Sequence, residues 1–387
     1  MRGDELVYLT DEHRMFRSMV REFAEKEVAP RASEIDETQE FPIDTIRKMA
    51  RLGLMGIPFP EELGGAGMDS LAYTIAVEEI SRVCASTGIT LAAHVSLGTS
   101  PIFLFGTEAQ KKKYIPPLAR GEAIGSFGLT EPEAGSDAGG TKTWAKRDGD
   151  AYLLNGTKIF VTSGRYANTL CVSARTAEGR GSDGISAFIV ETNSPGFKVG
   201  TKESKLGIRG SDTSVIFFED CRVPVENLLG KEGDGFKVFM KALEGGRISI
   251  GAMALGIAVG AYEHALKYSK ERVQFGQPIS KFQAVQFMLV DMHARIEAAR
   301  HLVYHAAWMK DQGQPIVKES SVAKLFASEA AMWVTTKAIQ VHGGAGYIKE
   351  YQVERYFRDA KITEIGEGTS EIQRLVIARE ILKDSAS

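Results

Sequence analysis

A hydrophobic repeat in the last third of the chain constrains the fold more than any other feature of the sequence. Apolar side chains recur there in steps of three and four, at Phe282, Val285, Leu289, Met292, Ile296, Ala299 and Val303. A 3.5-residue repeat held over three heptads is typical of a helix packed in a bundle. The sequence therefore predicts a C-terminal helical bundle, which begins at about residue 233.

The first third of the chain also has helical patterns. Thr10 is a candidate N-cap for the first helix, and Pro30 is expected to end it. Further helices are predicted at 43–52, at 70–83 and from 107 to the Pro116-Pro117 pair.

Between these helical parts the sequence changes to short β-rich runs separated by turn residues. The Asn155-Gly156 pair lies between two apolar runs and predicts a β-hairpin. More strands are predicted at 170–173, 185–190 and 215–218, and this spacing favours a small β-barrel or sandwich. We predict an α+β multidomain fold, with a helical domain at 1–122, a β domain at 123–232 and a four-helix bundle at 233–387.

Composition excludes several classes of function. The chain has 387 residues and a formal net charge of -3, so it has no basic field for nucleic acid or an anionic membrane. An uncharged run between Arg247 and Glu263 is shorter than the roughly 18 residues of a membrane span, and it predicts a buried core helix. Three widely spaced cysteines and no apolar leader-like segment favour a reducing compartment, the cytoplasm.

The sequence lacks several common motifs for cofactor binding and nucleophilic catalysis. Gly344 and Gly346 do not continue into GxGxxG, and the chain has neither a P-loop nor a GxSxG elbow. His301 and His305 have a spacing that could hold a metal, but no acidic or Cys ligand is obvious nearby. We predict no metal site, and a non-catalytic helical scaffold or metal carrier remains an alternative class.

One carboxylate stands out near the C-terminus. Glu367 lies between two glycines, just before the N-cap candidates Thr369 and Ser370. The pattern predicts a carboxylate in a tight loop at the start of a helix, where glycine lets the backbone bend and a ligand approach. An ordinary turn with a solvated glutamate is the alternative.

Five stretches, in this order, resemble the acyl-CoA dehydrogenase family over essentially the whole chain. They are FGLTEPEAGSD at 127–137, FVTS at 160–163, RVQFG at 272–276 with Gln283, QVHGGAG at 340–346, and IGEGTSEIQR at 365–374. The resemblance implies an FAD enzyme that oxidises an acyl-CoA to the trans-2-enoyl-CoA. It also implies electron-transfer flavoprotein as the electron acceptor and a homotetramer.

The resemblance also implies roles for single residues. Glu367 would remove the Cα proton, flavin N5 would accept the Cβ hydride, and the Glu367 N–H and a flavin ribityl hydroxyl would donate to the thioester oxygen. Substrate contacts are implied for Ser136, Glu244, Arg247 and Gly368. FAD contacts are implied for Phe127, Leu129, Thr130, Ser136, Phe160, Thr162, Arg272, Phe275, Gln283, Gln340, Gly343, Gly344, Thr369 and Glu371, with Gln340 to Gly344 reaching the FAD of a neighbouring subunit.

Simpler interpretations exist for some of these residues. Phe160 could be a strand core residue, Thr162 an ordinary strand threonine, and Gly343-Gly344 a helix C-cap. Arg247 could be a structural ion-pair partner.

Two positions depart from the common pattern of the family. Gly366 replaces the aromatic residue that most straight-chain members carry just before the base, so a short branched substrate becomes plausible. Phe160 replaces a tryptophan. One branched-chain member takes its base from the position that matches Gly246, which cannot serve here. We predict a short-chain or short-branched acyl-CoA dehydrogenase, with an acyl-CoA oxidase as the alternative on the same fold.

Overall fold

The computed structural model describes residues 9–179 and 181–383, and in them a β region lies between two helical regions. The N-terminal helices are α1 (Asp11–Phe23), α2 (Ala32–Thr38), α3 (Ile43–Arg51), α4 (Ser70–Ser81), α5 (Ala85–Ala93), α6 (Ser100–Phe105) and α7 (Glu108–Ala119). A π-helical segment, His94–Thr99, joins α5 to α6. The predicted order of helices, β-sheet and helices is confirmed.

The ends of these helices follow local chemistry. Thr10 caps α1 as predicted, because its hydroxyl accepts a hydrogen bond from the His13 N–H. The prediction that Pro30 ends the helical segment is wrong. A π-helical stretch, Ala24–Val28, changes the bonding register, so Pro30 falls in a new turn where its missing N–H is not needed.

Helix α7 also runs further than predicted. Pro116 and Pro117 lie inside its last turn, and the Arg120 N–H donates to the Pro116 carbonyl at 3.0 Å. A proline lacks only the donor, so its carbonyl can still accept a helical hydrogen bond.

The middle region is one eight-stranded sheet. Its strands are β1 (Gly125–Gly128), β2 (Trp144–Asp148), β3 (Ala151–Thr162), β4 (Thr169–Arg175), β5 (Ile185–Glu191), β6 (Phe197–Lys202), β7 (Thr213–Pro224) and β8 (Leu228–Leu229). The strand order is β6-β7-β3-β2-β4-β5-β8, and β1 pairs with β4 in parallel. The strands predicted near 170, 185 and 215 are confirmed as β4, β5 and β7.

The predicted hairpin at Asn155-Gly156 is wrong. Both residues lie inside the single strand β3, where the pairing with β7 shifts register between Leu154 and Gly156. Gly156 has φ +152, and a Cβ on it would lie 2.4 Å from Thr143 Oγ1. The extra residue at this register shift lies on β7, so Gly156 allows a close backbone approach beside a bulge and does not form a turn.

The C-terminal region is helical. It contains α8 (Gly235–Glu271), α9 (Gln283–Asp311), α10 (Val317–His342), α11 (Val353–Ala360) and α12 (Ser370–Ile381), with a two-stranded pair, β9 (Val273–Gln274) and β10 (Gln277–Pro278), before α9. Helix α10 packs on α8, α9 and α12. The predicted stripe on α9 is buried from Leu289 to Val303, which confirms the bundle.

Among the described residues, two apolar stretches are long enough to cross a membrane by length and composition alone. They are Ala85–Phe105 and Gly235–Glu271, and 78% and 83% of their most apolar windows lie inside the protein. The second contains the run predicted to be a core helix, and the sequence analysis overlooked the first. Both therefore have the burial expected of core helices.

Close contacts join the β-sheet to the helices near the candidate site. A Cβ on Gly98 would lie 2.4 Å from the Gly125 carbonyl carbon, so the π-helical segment can approach β1 this closely only because residue 98 is glycine. Phe127 of β1 also packs on Phe239 of α8, with ring centroids 4.6 Å apart. One end of the sheet is thereby held against α8.

Candidate active site

Glu367 lies in the turn just before α12. Its φ is +54, and that of Gly368 is +94. Thr369 then caps α12 by accepting from the Ile372 N–H at 3.3 Å. Gln373 donates to the carbonyls of Glu367 and Gly368, at 3.1 and 2.9 Å. A left-handed non-glycine residue is strained, so these hydrogen bonds hold a conformation that the turn would not keep alone.

The Glu367 carboxylate is buried without a polar partner. The residue as a whole is only half-buried, but both carboxylate oxygens are inaccessible and accept no hydrogen bond from the described residues. Burial raises the pKa of Glu367 to about 7, opposed by the positive charges of Lys324 and then Arg247. A solvated turn glutamate is therefore not what the structure contains.

Gly246 of α8 provides the room for this carboxylate. A Cβ on Gly246 would lie 1.9 Å from Glu367 Oε2 and 3.3 Å from Leu97 Cδ2. Real atoms do not approach so closely. The glycine is therefore required for the position of the carboxylate.

Two cations flank the carboxylate. Lys324 of α10 is fully buried, and its ammonium donates to the Gly368 carbonyl at 2.7 Å. Arg247 is also buried; its Nη1 donates to Ser321 Oγ at 3.3 Å, while its Nε lacks a partner among the described residues. Arg247 forms no ion pair within 4.0 Å in the part of the chain that the structure describes, so the structural ion-pair interpretation gains no support.

Lys324 is not among the residues predicted from the sequence, although a signal for it exists. Buried residues of α10 recur in steps of four and three, at Ser320, Lys324, Ala327, Ala331, Val334 and Ala338. A lysine on such a stripe must be buried with the rest of it.

Residues of the N-terminal region close the other side of the site. Tyr73 is buried and donates to the Ala92 carbonyl at 2.8 Å. Ser249 donates to the Gly246 carbonyl at 2.8 Å and lies 3.4 Å from Ser96. No sequence signal pointed to them, because they meet only through the packing of α4, the π-helical segment and α8.

One group of predicted FAD residues meets at the end of the sheet nearest to α8. The Ile159 N–H donates to the Thr130 carbonyl at 2.9 Å, and Ser126 Oγ donates to the Thr162 carbonyl at 2.5 Å. These bonds join the 126–130 segment to the 159–162 segment. Phe160 has φ +56 and is 61% exposed, so its interpretation as a strand core residue is wrong.

A buried ion pair, which was not predicted from the sequence, lies behind this segment. Lys158 donates to Glu131 Oε1 at 2.6 Å and to the Leu129 carbonyl at 3.1 Å. The alternation of β3 gave a signal, since Lys158 falls on the same face as the buried Leu154.

A second group of predicted FAD residues lies at the far end of α8. Arg272, Gln340, Gly343 and Gly344 line a cavity of about 450 Å³ that also includes Tyr268. Tyr268 is 22 residues beyond Gly246 on α8, which is about 33 Å at 1.5 Å per residue. Phe275 and Gln283 are exposed near this end. The two predicted groups therefore lie toward opposite ends of α8, one beside Phe239 and the other beside Tyr268.

The remaining predicted residues lie on accessible surface. Glu244 is ion-paired with Lys241 at 2.6 Å and lines a cleft of about 760 Å³ beside the 182–184 loop. Ser136 and Glu371 are exposed.

The two FAD groups fit the cofactor by chemistry. Exposed Phe160 offers an uncovered ring beside Thr130, suited to a flat isoalloxazine. The 343–344 glycines have nothing within 4 Å of a Cβ, so a phosphate can approach their backbone beside the Arg272 guanidinium.

The order of helices, β-sheet and helices, with a buried glutamate beside α8, agrees with one class of flavoenzyme. Three domain families match this chain: acyl-CoA dehydrogenase N-terminal domain at 10–122, middle domain at 126–221 and C-terminal domain at 233–382. The chain belongs to the acyl-CoA dehydrogenase family, whose members depend on FAD, and it is an acyl-CoA dehydrogenase.

Individual relatives are similar to this chain along nearly their whole length. The short-chain specific acyl-CoA dehydrogenase of Clostridium acetobutylicum is 56% identical over 97% of this chain and 99% of its own. The structure of butyryl-CoA dehydrogenase from Megasphaera elsdenii is 48% identical, with a TM-score of 0.95 over 97% and 99% of the two chains. A structure described as electron transferring flavoprotein of Acidaminococcus fermentans matches with 53% identity and a TM-score of 0.96, over 99% and 100%.

The family excludes the non-catalytic scaffold as the function of this chain. The metal-carrier idea also gains nothing from the structure. His301 is exposed, His305 stacks on Trp308, and the described residues include no group of three His, Cys, Asp or Glu suited to a metal ion.

Gly246→Ala tests the space that the carboxylate occupies. The added methyl group must displace Glu367 Oε2, and we expect the rate of substrate oxidation to fall about 100-fold, as for a misplaced catalytic group. Gly245→Ala is the matched control, because its Cβ would meet only the flexible end of Lys310 at 3.3 Å. Equal rates in the two variants, measured by stopped-flow absorbance, would contradict the assignment.

The pH dependence follows from the same burial. Only the ionised carboxylate can accept a proton, and burial keeps Glu367 protonated up to a pKa of about 7. We expect kcat/KM to fall about tenfold per pH unit below that value and to level off above it. A profile that stays flat from pH 5 to pH 9, measured with a dye as electron acceptor, would refute this.

Proposed function

We propose that this chain oxidises short acyl-CoA thioesters between Cα and Cβ, with Glu367 as the base. The observation that carries the proposal is the Glu367 carboxylate, buried beside Gly246 with no hydrogen-bond partner among the described residues. A carboxylate that accepts no hydrogen bond keeps its basicity for a weakly acidic Cα proton. Its pKa of about 7 suits proton abstraction near neutral pH.

The chain's own residues would position the substrate around this base. The cleft beside Glu244 has the size and accessibility to take the CoA portion. We propose that the thioester passes inward along α8 to Glu367, with Arg247, Ser136 and Gly368 contacting it. The backbone N–H of Glu367 would donate to the thioester oxygen, where negative charge develops as the proton leaves.

The FAD residues would act as two separate sets. We propose that Phe127, Leu129, Thr130, Ser136, Phe160, Thr162, Thr369 and Glu371 hold the FAD of their own subunit. Arg272, Phe275, Gln283, Gln340, Gly343 and Gly344 would hold the pyrophosphate and adenosine half of a partner's FAD. When bound, FAD supplies the hydride acceptor for the Cβ hydride.

We propose a homo-oligomer, and a tetramer in particular, in which the second set of one copy contacts the FAD of another. The first group adjoins Phe239 and the second adjoins Tyr268, near opposite ends of α8, which favours a second copy as the source of the FAD at the distal group. Apolar side chains near the distal group also lie open, including Phe275 at 93% exposure and Tyr347 at 86%. Exposed aromatic residues of this size favour a subunit contact.

The electron acceptor, the cellular compartment and the domain boundaries are also proposed. We propose electron-transfer flavoprotein as the electron acceptor, which fits the description of the Acidaminococcus fermentans structure. The cytoplasm is the proposed compartment, in keeping with three free buried cysteines. The proposed domain boundaries are 1–122, 123–232 and 233–387.

Anaerobic mixing with butyryl-CoA tests the function. We expect the yellow flavin absorbance of the wild-type holoenzyme to bleach, whereas Glu367→Gln keeps the colour and does not bleach, because an amide cannot accept the Cα proton. Slow reoxidation of the reduced enzyme in air supports a dehydrogenase, and rapid reoxidation supports the oxidase alternative. Bleaching of Glu367→Gln at the wild-type rate would refute the base.

We further propose that the substrate is short and branched, because residue 366 is glycine. A Cβ there would meet only Ile362, at 3.4 Å from its carbonyl oxygen, so the position has room for a side chain. We expect Gly366→Tyr to lower kcat/KM for 2-methyl and 3-methyl acyl-CoA substrates at least tenfold more than for butyryl-CoA, because the ring takes the space of the branch. The butyryl-CoA rate is the internal control, and an equal loss for all substrates would contradict the proposal.

A further inference from the structure

Lys324 lies where it can act on the base, although it contacts neither oxygen of the carboxylate. Its side chain enters from α10, is fully buried, and ends on the Gly368 carbonyl at 2.7 Å. Neither oxygen of Glu367 has a hydrogen-bond partner among the described residues. The ammonium therefore acts on the carboxylate through space and on the backbone turn by direct contact.

Burying a lysine in this way is costly without a compensating interaction. Burial lowers the pKa of Lys324 to about 8, and the charge of Glu367 is the largest effect that opposes this. The interaction is mutual, because among the neighbouring charges Lys324 lowers the pKa of Glu367 the most. Each charge thus stabilises the other in a site that water does not reach.

Other charged or titratable groups face the pair from four elements. Arg247 on α8 adds a second positive charge near Glu367, and buried Tyr73 on α4 lies within its electrostatic reach. Glu364, before the base turn, and Glu371, on α12, act on Lys324. Of these groups, Lys324 alone also holds the backbone of the base turn.

We propose that Lys324 is a positioning residue that sets the proton affinity of Glu367 and anchors the base-bearing turn. Its hydrogen bond holds the carbonyl of Gly368, the residue next to the base. Its positive charge favours the ionised form of Glu367, so more of the enzyme carries a competent base at a given pH. This inference rests on the proposed function, in which Glu367 is the base.

Substitution of Lys324 separates the charge from the hydrogen bond. Lys324→Met removes both, whereas Lys324→Gln removes the charge and keeps a donor for the turn. Loss of a nearby cation raises the pKa of a carboxyl group. We expect both variants to move the midpoint of the pH profile for flavin bleaching upward by about one pH unit. Lys324→Arg keeps the charge, and its midpoint should return to that of the wild type.

Gln373→Leu is the matched structural control. It removes the other side-chain donor to the Glu367 and Gly368 carbonyls without changing any charge. We expect a lower bleaching rate at every pH with an unchanged midpoint. Flavin absorbance and thermal unfolding check that each variant is folded, and Lys324→Gln carries the test if Lys324→Met is not.

Infrared spectroscopy reads the proton affinity of Glu367 without turnover. The band of its protonated carboxyl group is identified as the one lost in Glu367→Gln, and it is titrated against pH in each holoenzyme. The same upward shift in Lys324→Met and Lys324→Gln is expected. An unchanged or lowered midpoint in both variants would overturn the inference. If butyryl-CoA fails to bleach the wild type, the proposed function fails, and the infrared titration still reports on Lys324.

Discussion

The burial of one carboxylate against a glycine position of a helix is the constraint on which the rest of the site depends. Glu367 reaches Gly246 of α8 at a distance that no other residue type would allow. An ionised carboxylate without hydrogen bonds is unfavourable inside a protein, so nearby positive charge has to compensate. Lys324 and Arg247 provide that charge from two different helices. The reactive group, its space and its compensation therefore come from three separate parts of the C-terminal region.

Helix α8 connects these parts. It is about 55 Å long at 1.5 Å per residue, and glycines along it admit other elements to close range. A Cβ on Gly256 would lie 2.3 Å from the Glu78 carbonyl oxygen, and one on Gly260 would lie 2.1 Å from that of Arg82. Close contact with α4 and the loop after it holds the N-terminal helices against the site. The same helix runs from the Phe239 contact with the β-sheet to the cavity beside Tyr268. Its length therefore separates the two predicted FAD groups.

Much of the fold could be predicted from the sequence, because periodicity and helix capping are local. The stripe on α9 and the Thr10 cap depend on residues within a few positions of each other, and both are confirmed. Asn155-Gly156 misled the prediction because the same dipeptide suits a turn or a strand position opposite a bulge, and only the pairing of β3 with β7 decides between them. Pro30 misled it because a π-helical stretch upstream shifts the bonding register. No local pattern reveals such a shift.

In the candidate site, too, local features could be predicted from the sequence and long-range contacts could not. The turn around Glu367 could be predicted, since its glycines and N-cap residues are adjacent in sequence. Lys324 and Lys158 are missed by motif reasoning, because each acts on a backbone carbonyl more than 25 residues away. The roles of the individual FAD and substrate residues stay predictions, since they depend on molecules that must bind between these elements.

A crystal structure of the Glu367→Gln holoenzyme with butyryl-CoA tests the central claim most directly. The account predicts that the side-chain amide of residue 367 lies within about 3.5 Å of the substrate Cα, the separation at which reacting atoms meet. It also predicts that the flavin ring lies on the opposite face of the acyl chain. A side chain remote from Cα, with the acyl group bound elsewhere, would contradict it.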